Sequence, residues 1–464
     1  MNSVRHVEEL LARAERTAGL GAFVTLSADR ALAEAHEADR SSPRGPLHGL
    51  PLAVKDNIHV AGLPNTAGSR VLADFVPAQD AAAVARLREA GAIVLGKTNM
   101  HELAFGATSA NGPFGPVRNP ADPDRFAGGS SGGTAAAIAC GAAPAGLGTD
   151  TGGSVRIPAA LTGIAALRPT AGRYPGTGVT PLSRTTRDTV GPMAPTVTVL
   201  ALLDAVLAAD PAPAEPPPAR DVTLAVPEHH FTEPLHAHTA AVWGHSLDVL
   251  RRAGVRLVPV RLADVETAEE LAGFPITLYE AARQLPGYLR KATGRDLADC
   301  LSLITDPDVR TVLAEVVLDG APRAVTPVEY EAALRVRERV LVEGYRRIFR
   351  TSGADALLFP TTPLPAGLIG EETVRVRIGG SLRPTFQTYI RNTGPGSIAG
   401  LPGITVPALP RPPLGGAPVP DQALPVGLAL DGAWGTDRKL LGLGMLLEQL
   451  LRAEAEAEGD RTRT

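Results

Sequence analysis

Cysteine is scarce in this chain, with only Cys140 and Cys300 among 464 residues. Two cysteines can form at most one disulfide, whereas secreted proteins that rely on disulfides usually carry more. The N-terminus also lacks the uninterrupted apolar stretch of a secretory signal, because Glu8 and Glu9 fall where that stretch would lie. We therefore expect reduced thiols and a cytoplasmic protein.

An excess of positive charge and long apolar segments are also missing. The formal net charge of -4 leaves no basic excess to neutralise a phosphate backbone, so nucleic acid is not an expected partner. The longest uncharged run, residues 127–149, is long enough to cross a bilayer but is rich in Gly, Ser and Thr rather than Leu and Ile. It predicts a buried loop and helix, and no membrane partner.

Lysine is rare as well. Among 45 basic residues the only lysines are Lys55, Lys97, Lys291 and Lys439. Arginine keeps its proton in proteins, whereas a buried lysine can lose it. Because this chain otherwise uses Arg, a remaining Lys is mildly favoured for a site that needs an amine able to become neutral.

The alternation of strand and helix patterns predicts an α/β fold. Helical spacing of apolar residues covers residues 5–40 and 80–90 and most of 238–350. Apolar runs predict strands at residues 52–54, 92–95, 222–226, 354–360 and 404–407. The proline-rich connector DPAPAEPPPAR, residues 210–220, divides the chain without separating independent domains, and residues 410–425 predict a surface loop.

Three short patterns imitate known sites but lack the required context. GAIVLGKT at residues 91–98 has the spacing of a phosphate-binding loop, yet its interior is an apolar strand rather than a flexible loop. A nucleotide-binding protein remains the alternative from another functional class. Asp150-Thr151-Gly152 has no second copy with which to share a proton. GGSSG at residues 128–132 lacks the strand that precedes a nucleophile elbow.

Histidine is missing where a hydrolase with a Ser-His-Asp triad and a nucleophile elbow would need it. The base of such an enzyme follows the acid late in the chain, but the last histidine here is His245. A cluster of four histidines follows the proline connector and predicts a solvated face rather than a metal site: His229, His230, His236 and His238. No metal or cofactor is therefore expected.

Three sequence blocks remain, and they carry the chemistry. LPLAVKDNI places Lys55 at the end of an apolar strand, FAGGSSGGTAAAIA surrounds Ser130, and GLGTDTGGSVRIPAA surrounds Ser154. Glycine runs are tolerated where the backbone takes positive φ or approaches a ligand closely. Alone, each serine fits a turn, and Lys55 fits a salt bridge with Asp56. Together, the three blocks are far more specific than any one of them.

The order, spacing and residues of these blocks resemble those of the amidase signature family from about residue 46 to 194, with matching segments up to about 430. The resemblance implies an α/β fold in which a large mixed β-sheet is covered by helices on both faces. It implies Ser154 as nucleophile, Ser130 as proton relay after a cis bond, and Lys55 as base. Four residues take the oxyanion positions: Thr151, Gly152, Gly153 and Ser154.

Lys55 must be neutral to act as that base. Burial at the end of an apolar strand disfavours the ammonium form and lowers the pKa, so Lys55 could accept a proton near neutral pH. We predict a single amidase domain over residues 1–464. Within it, residues 46–209 form the signature core, and residues 221–464 form a substrate-side lobe with the remaining core.

Four segments resemble the branch of the family that includes indoleacetamide and mandelamide hydrolases: GRYPGTGVTPLSRTTRDTVGPMA, TLYEAARQLPGYL, PTFQTYIRNTGPGS and IAGLPGITVPA. The expected partner is therefore a small aryl-acetamide, cleaved to a carboxylate and ammonia, with Phe105, Tyr279 and Phe386 as candidate pocket walls. The alternative within this chemistry is the amidase subunit of a glutamyl-tRNA(Gln) amidotransferase, which would need partner chains. A homodimer is left open.

Overall fold

The structure, a computed structural model, describes residues 2–110, 112–409 and 420–461. Most of the surface loop predicted at residues 410–425 lies outside the described residues. In the described ranges no helix is long and apolar enough to cross a membrane.

A mixed sheet of 11 strands runs through the molecule, and a second sheet has 2 strands. The strands are β1 (Phe23–Leu26), β2 (Pro51–Lys55), β3 (Ile93–Thr98), β4 (Gly146–Asp150), β5 (Ala165–Arg168), β6 (Thr189–Ala194), β7 (Thr223–Pro227), β8 (Arg256–Val260), β9 (Ala356–Pro360), β10 (Arg375–Ile378), β11 (Ser381–Pro384), β12 (Gly403–Pro407) and β13 (Gly427–Asp431). The order in the large sheet is β1-β3-β2-β4-β6-β5-β12-β13-β9-β7-β8, and β10 pairs with β11. Pairing is parallel on both sides of β2 and of β7, and antiparallel between the other neighbours.

Helices cover both faces of the large sheet. They are α1 (Ser3–Arg16), α2 (Ala28–Arg40), α3 (Ala82–Glu89), α4 (Gly132–Ala139), α5 (Arg156–Thr162), α6 (Val197–Leu207), α7 (Ala237–Arg252), α8 (Val265–Ala268), α9 (Phe274–Thr293), α10 (Leu297–Cys300), α11 (Pro307–Val312), α12 (Pro327–Val336), α13 (Glu343–Ser352), α14 (Thr385–Ile390), α15 (Gly394–Ala399) and α16 (Asp437–Arg461).

The two faces of the sheet are visible in β2, because side chains alternate along a strand. Leu52 and Val54 belong to an apolar cluster with residues of α3, α6, α7 and α16. Ala53, between them, belongs to a different cluster with residues of α1, α2, α4 and α5. The predicted α/β fold, with a mixed sheet between layers of helices, is confirmed.

The proline connector does not divide the sheet. Residues 211–218 are largely exposed and have no regular structure. However, β5 precedes the connector and pairs with β12, which follows it. Residues 238–350 are mostly helical, as predicted, and the strand β8 interrupts them. That strand, RLVPV, lies at the edge of the sheet, and its residues are half-buried or exposed.

The parallel neighbours β2 and β4 position the candidate site. Since parallel strands run in one direction, their carboxyl ends lie at the same edge of the sheet. Lys55 is the last residue of β2, and Asp150 is the last residue of β4. The loop that leads into α4 and the loop between β4 and α5 meet these two ends.

Candidate active site

Lys55 ends β2 with its side chain fully enclosed. Its exposed fraction is 0%, so an amine that can carry a positive charge is shielded from solvent. Nζ lies 2.7 Å from Ser130 Oγ and 2.8 Å from Thr149 Oγ1. Asn57 Nδ2 donates to the same threonine hydroxyl at 3.1 Å. Two hydroxyl groups therefore hold the amine in place, Asn57 orients one of them, and neither contact is a carboxylate.

Among the described residues no carboxylate contacts the Lys55 amine, and this has an electrostatic consequence. Burial lowers the pKa of Lys55 to about 7, although the more distant carboxylates of Asp150 and Asp188 favour the ammonium. The suggested salt bridge between Lys55 and Asp56 is wrong, because Asp56 Oδ1 lies 3.0 Å from Lys97 Nζ. A pKa near 7 leaves a large neutral fraction of the amine at neutral pH. The predicted direction of the shift is confirmed.

Ser130 faces Lys55 from the loop that leads into α4. The peptide bond between Gly129 and Ser130 is cis, as the resemblance implied. Gly129 has no room for a side chain, since a Cβ there would lie 2.8 Å from Ser109 Oγ and 2.9 Å from Thr108 N. This close packing holds the fully buried Ser130 against the amine.

Ser154 lies in the loop between β4 and α5. It is half-buried, whereas Lys55 and Ser130 are fully buried. The N–H of Ser131 donates to the carbonyl of Ser154 at 3.1 Å, so a backbone bond joins the two serine loops. Within the described ranges, Ser154 Oγ has no hydrogen-bond partner. The structure therefore places Ser154 outermost, with Ser130 and Lys55 behind it.

A buried carboxylate organises this loop. Asp150 accepts hydrogen bonds from the N–H groups of Gly153 at 2.8 Å and Val155 at 3.2 Å. It also accepts from Arg156 Nε at 3.2 Å and Arg168 Nη1 at 3.1 Å. Burial alone would raise the pKa of Asp150, but the two guanidinium groups outweigh burial and hold that pKa well below its ordinary value. Asp150 therefore stays ionised and anchors the loop.

The expectation that four residues donate to the oxyanion is wrong for Gly153. The N–H of Gly153 already donates to Asp150, so it is not available to a ligand. Gly153 instead lets the backbone turn, with φ at +137°, and a Cβ there would lie 2.1 Å from Thr393 Oγ1. In the described part of the chain, three neighbouring N–H groups have no partner, those of Thr151, Gly152 and Ser154.

Two further groups support the same loop. Thr151 Oγ1 donates to Asp188 Oδ1 at 2.6 Å, and the carbonyl of Thr151 accepts from Arg187 Nε at 3.1 Å. Arg187 is 4% exposed. No motif in the sequence indicates the roles of Asp150, Asp188 and Arg187. The Asp-Thr-Gly triplet that begins at Asp150 is a signal for this carboxylate, but without a second copy it does not indicate a role.

Comparison with known proteins now decides the family. The family model described as Amidase matches residues 5–441. The chain belongs to the amidase family.

Two amidase relatives match nearly the full chain. One is the indoleacetamide hydrolase of Rhizobium radiobacter, 37% identical over 96% of this chain and 93% of that protein. Another is the mandelamide hydrolase of Pseudomonas putida, 36% identical over 96% of this chain and 87% of that protein. A crystal structure of an amidase superposes with a TM-score of 0.84 at 35% identity, covering 97% of this chain and 96% of the other. This amidase is an amide-cleaving hydrolase.

The three aromatic residues predicted as amidase pocket walls lie in different surroundings. Both faces of the half-buried Tyr279 ring are covered, and its wall role stays a prediction. Tyr330 stacks on the ring at 4.0 Å between centroids, and the Arg283 guanidinium lies 3.6 Å from the same centroid. Two groups this close cannot share one face. Phe105 packs at the edge of a cluster that includes Leu182, and its wall role stays a prediction.

Phe386 has the more direct connection to the serine loop. It packs beside Ile390 and Ile157, and its ring centroid lies 5.9 Å from that of Phe274. A Cβ on Gly152 would lie 2.5 Å from Ile390 Cδ1, so this apolar cluster adjoins the loop. Its contact with a substrate stays a prediction.

The patterns that imitate other sites have structural explanations. Residues 93–98 of the apparent phosphate-binding loop form the buried strand β3. The solvated-face prediction is wrong for His238, whose Nε2 lies 2.9 Å from the carbonyl oxygen of Leu424, and for His230, whose Nε2 lies 3.5 Å from Glu269 Oε2. Among the described residues, no group of His, Cys, Asp or Glu is arranged to hold a metal ion.

Proposed function

We propose that this amidase hydrolyses small aryl-acetamides through an acyl-enzyme on Ser154. The observation that carries the mechanism is the 2.7 Å contact between Lys55 Nζ and Ser130 Oγ in a fully buried setting. A serine hydroxyl becomes an effective nucleophile only when a base takes its proton. A neutral Lys55 can take that proton through Ser130.

In the proposed sequence, Ser154 Oγ attacks the amide carbon while its proton passes to Ser130 and the proton of Ser130 passes to Lys55. The free N–H groups of Thr151, Gly152 and Ser154 stabilise the oxyanion. The proton returns to the leaving nitrogen, and ammonia departs. Water then attacks the ester along the same proton path and releases the carboxylate. The Ser154 to Ser130 hydrogen bond would close when substrate binds, since catalytic hydrogen bonds are often open in free enzymes.

The substrate class rests on two considerations. The two relatives named above act on indoleacetamide and mandelamide, as their names state. The loop of Ser154 adjoins the apolar cluster that contains Phe386 and Ile390. Burying an aryl ring against such a surface favours an aryl-acetamide over acetamide by about 2 to 3 kcal/mol, or roughly thirty- to a hundredfold in kcat/KM.

A panel of amides tests this proposal. Ammonia release should give higher kcat/KM for indole-3-acetamide, phenylacetamide and mandelamide than for acetamide, with glutamine lowest because its charges would be desolvated. The chain is assayed alone, because a glutamine-dependent subunit would release ammonia from glutamine only with partner chains. Preference for glutamine, malonamate or a urea derivative would contradict the aryl-acetamide assignment. Light scattering on the same sample would show whether the protein is a homodimer.

A further inference from the structure

Arg187 is a buried cation, and no carboxylate of the described residues contacts it. Its Nε donates to the carbonyl of Thr151 at 3.1 Å, and its Nη1 donates to the carbonyl of Gly273 at 2.7 Å and to Thr277 Oγ1 at 2.6 Å. Across the described ranges, no carboxylate oxygen lies within 4.0 Å of its nitrogens. Buried charges in proteins are normally paired, so a free guanidinium edge beside a reactive loop indicates a ligand.

The third nitrogen, Nη2, is the one without a partner. It makes no hydrogen bond to any described residue, yet it is not among the fully enclosed unpartnered atoms, so it reaches solvent. It lies 3.5 Å from the position that a Cβ on Gly152 would occupy. Gly152 is also one of the three residues whose free N–H is proposed to bind the oxyanion. Nη2 therefore lies beside a residue that is proposed to bind the reacting carbonyl.

The charges around Arg187 decide which acceptor fits. Burial and the nearby positive charge of Arg168 together lower the pKa of Arg187 to about 10, although Asp188, Glu269 and Glu280 oppose the decrease. The guanidinium thus remains protonated at neutral pH. Those three carboxylates already compensate its charge from a distance and would repel another anion. A neutral oxygen is therefore the better ligand.

We propose that Nη2 of Arg187 donates a hydrogen bond to a hydroxyl oxygen on the α-carbon of the acyl group, so that 2-hydroxy-arylacetamides are the preferred substrates. This inference rests on the proposed function. The α-carbon is bonded to the carbon that carries the oxyanion, so its substituents lie next to Gly152. The aryl ring would pack against the apolar cluster at Ile390 and Phe386, and Arg187 would donate a hydrogen bond to the hydroxyl.

The test compares two amides that differ by one oxygen, mandelamide (2-hydroxy-2-phenylacetamide) and phenylacetamide. The unaltered enzyme should prefer the hydroxylated amide in kcat/KM. In Arg187→Gln this preference should fall roughly tenfold to a hundredfold, because a hydrogen bond from a charged donor is lost. Arg187→Lys should also lose part of it, since the shorter point charge cannot keep all three contacts. Damage to the oxyanion loop cancels in the ratio.

Thr277→Val is the matched control, because it removes a partner of Nη1 and leaves Nη2 in place. It should lower both rates without changing their ratio. If Arg187→Gln turns over too slowly, dissociation constants of the two amides for Ser154→Ala and for Ser154→Ala/Arg187→Gln give the same comparison.

An unchanged ratio in Arg187→Gln would overturn the inference and leave Arg187 as a support of the Thr151 carbonyl. A strong preference for malonamate that depends on Arg187 would overturn it too, because the ligand would then be a carboxylate. Failure of the unaltered enzyme on both phenyl amides would instead contradict the proposed function itself. The two failures are therefore distinguishable.

Discussion

The ionisation of Lys55 gives the most quantitative prediction. The pKa of about 7 compares with an ordinary value of 10.5. At pH 7 about half of the Lys55 amines would be neutral, against roughly one in three thousand for an exposed lysine. If the neutral amine is the base, kcat/KM should rise about tenfold between pH 6 and pH 8 and then level off.

The assay is ammonia release from phenylacetamide, which does not titrate in this range, so the profile reports the enzyme. Asp188→Asn gives a directional control. Its carboxylate favours the ammonium of Lys55 and raises the pKa, so removing the charge should move the midpoint to lower pH. Lys55→Arg should be inactive at every pH, because arginine cannot accept the proton. A profile without an ionisation near 7, or an active Lys55→Arg enzyme, would refute the reasoning.

The same shift predicts a stability effect. The folded-state pKa of Lys55, about 7, lies below its ordinary value of 10.5, so between these pH values the unfolded chain binds more protons at this residue. Its contribution to the free energy of unfolding should therefore rise with pH. From pH 7 to pH 9, the unaltered protein should gain about 2 kcal/mol relative to Lys55→Met. Denaturant unfolding of both proteins at the two pH values measures this difference, and parallel changes in both would count against a lowered pKa.

Two other substitutions test the serine loop. Gly153→Ala should reduce kcat at least roughly a hundredfold, because its Cβ would lie 2.1 Å from Thr393 Oγ1 and φ is +137°; Gly176→Ala, where nothing lies within 4 Å, should leave the rate unchanged. Equal rates for the two variants would contradict the steric argument. Asp150→Asn should lower the free energy of unfolding by about 3 to 5 kcal/mol, because buried Arg168 loses its charge partner and buried Arg156 keeps only Asp431 at 3.6 Å. The exposed Asp248→Asn should change it by less than about 1 kcal/mol, and a similar loss in both variants would argue against a special role for Asp150.

Much of the site could be predicted because its signals are local. An apolar strand that ends in Lys55 already implies a buried amine, and glycine-rich segments already imply close backbone approach at Ser130 and Ser154. The edge strand β8, RLVPV, is short and lies between helical segments, so the helical pattern around it hides it.

Long-range pairing explains the features that local signals do not show. Asp150 finds its partner Arg168 on β5, a strand that does not adjoin β4 in the sheet, and no periodicity in the sequence records that contact. The N–H of Gly153 is unavailable to a ligand for the same reason, because it donates to the anchored Asp150. Tyr279 had a suitable residue type, but only the packed helices show that Tyr330 and Arg283 cover its ring.

Covalent labelling tests the central claim most directly. The unaltered enzyme is treated with a fluorophosphonate, and its intact mass and digested peptides are measured. One adduct per chain is expected, on Ser154, and Ser154→Ala should remain unlabelled while keeping the melting temperature of the parent protein. An adduct on Ser130 or any other residue, or undiminished labelling of Ser154→Ala, would contradict the assignment of Ser154 as the nucleophile.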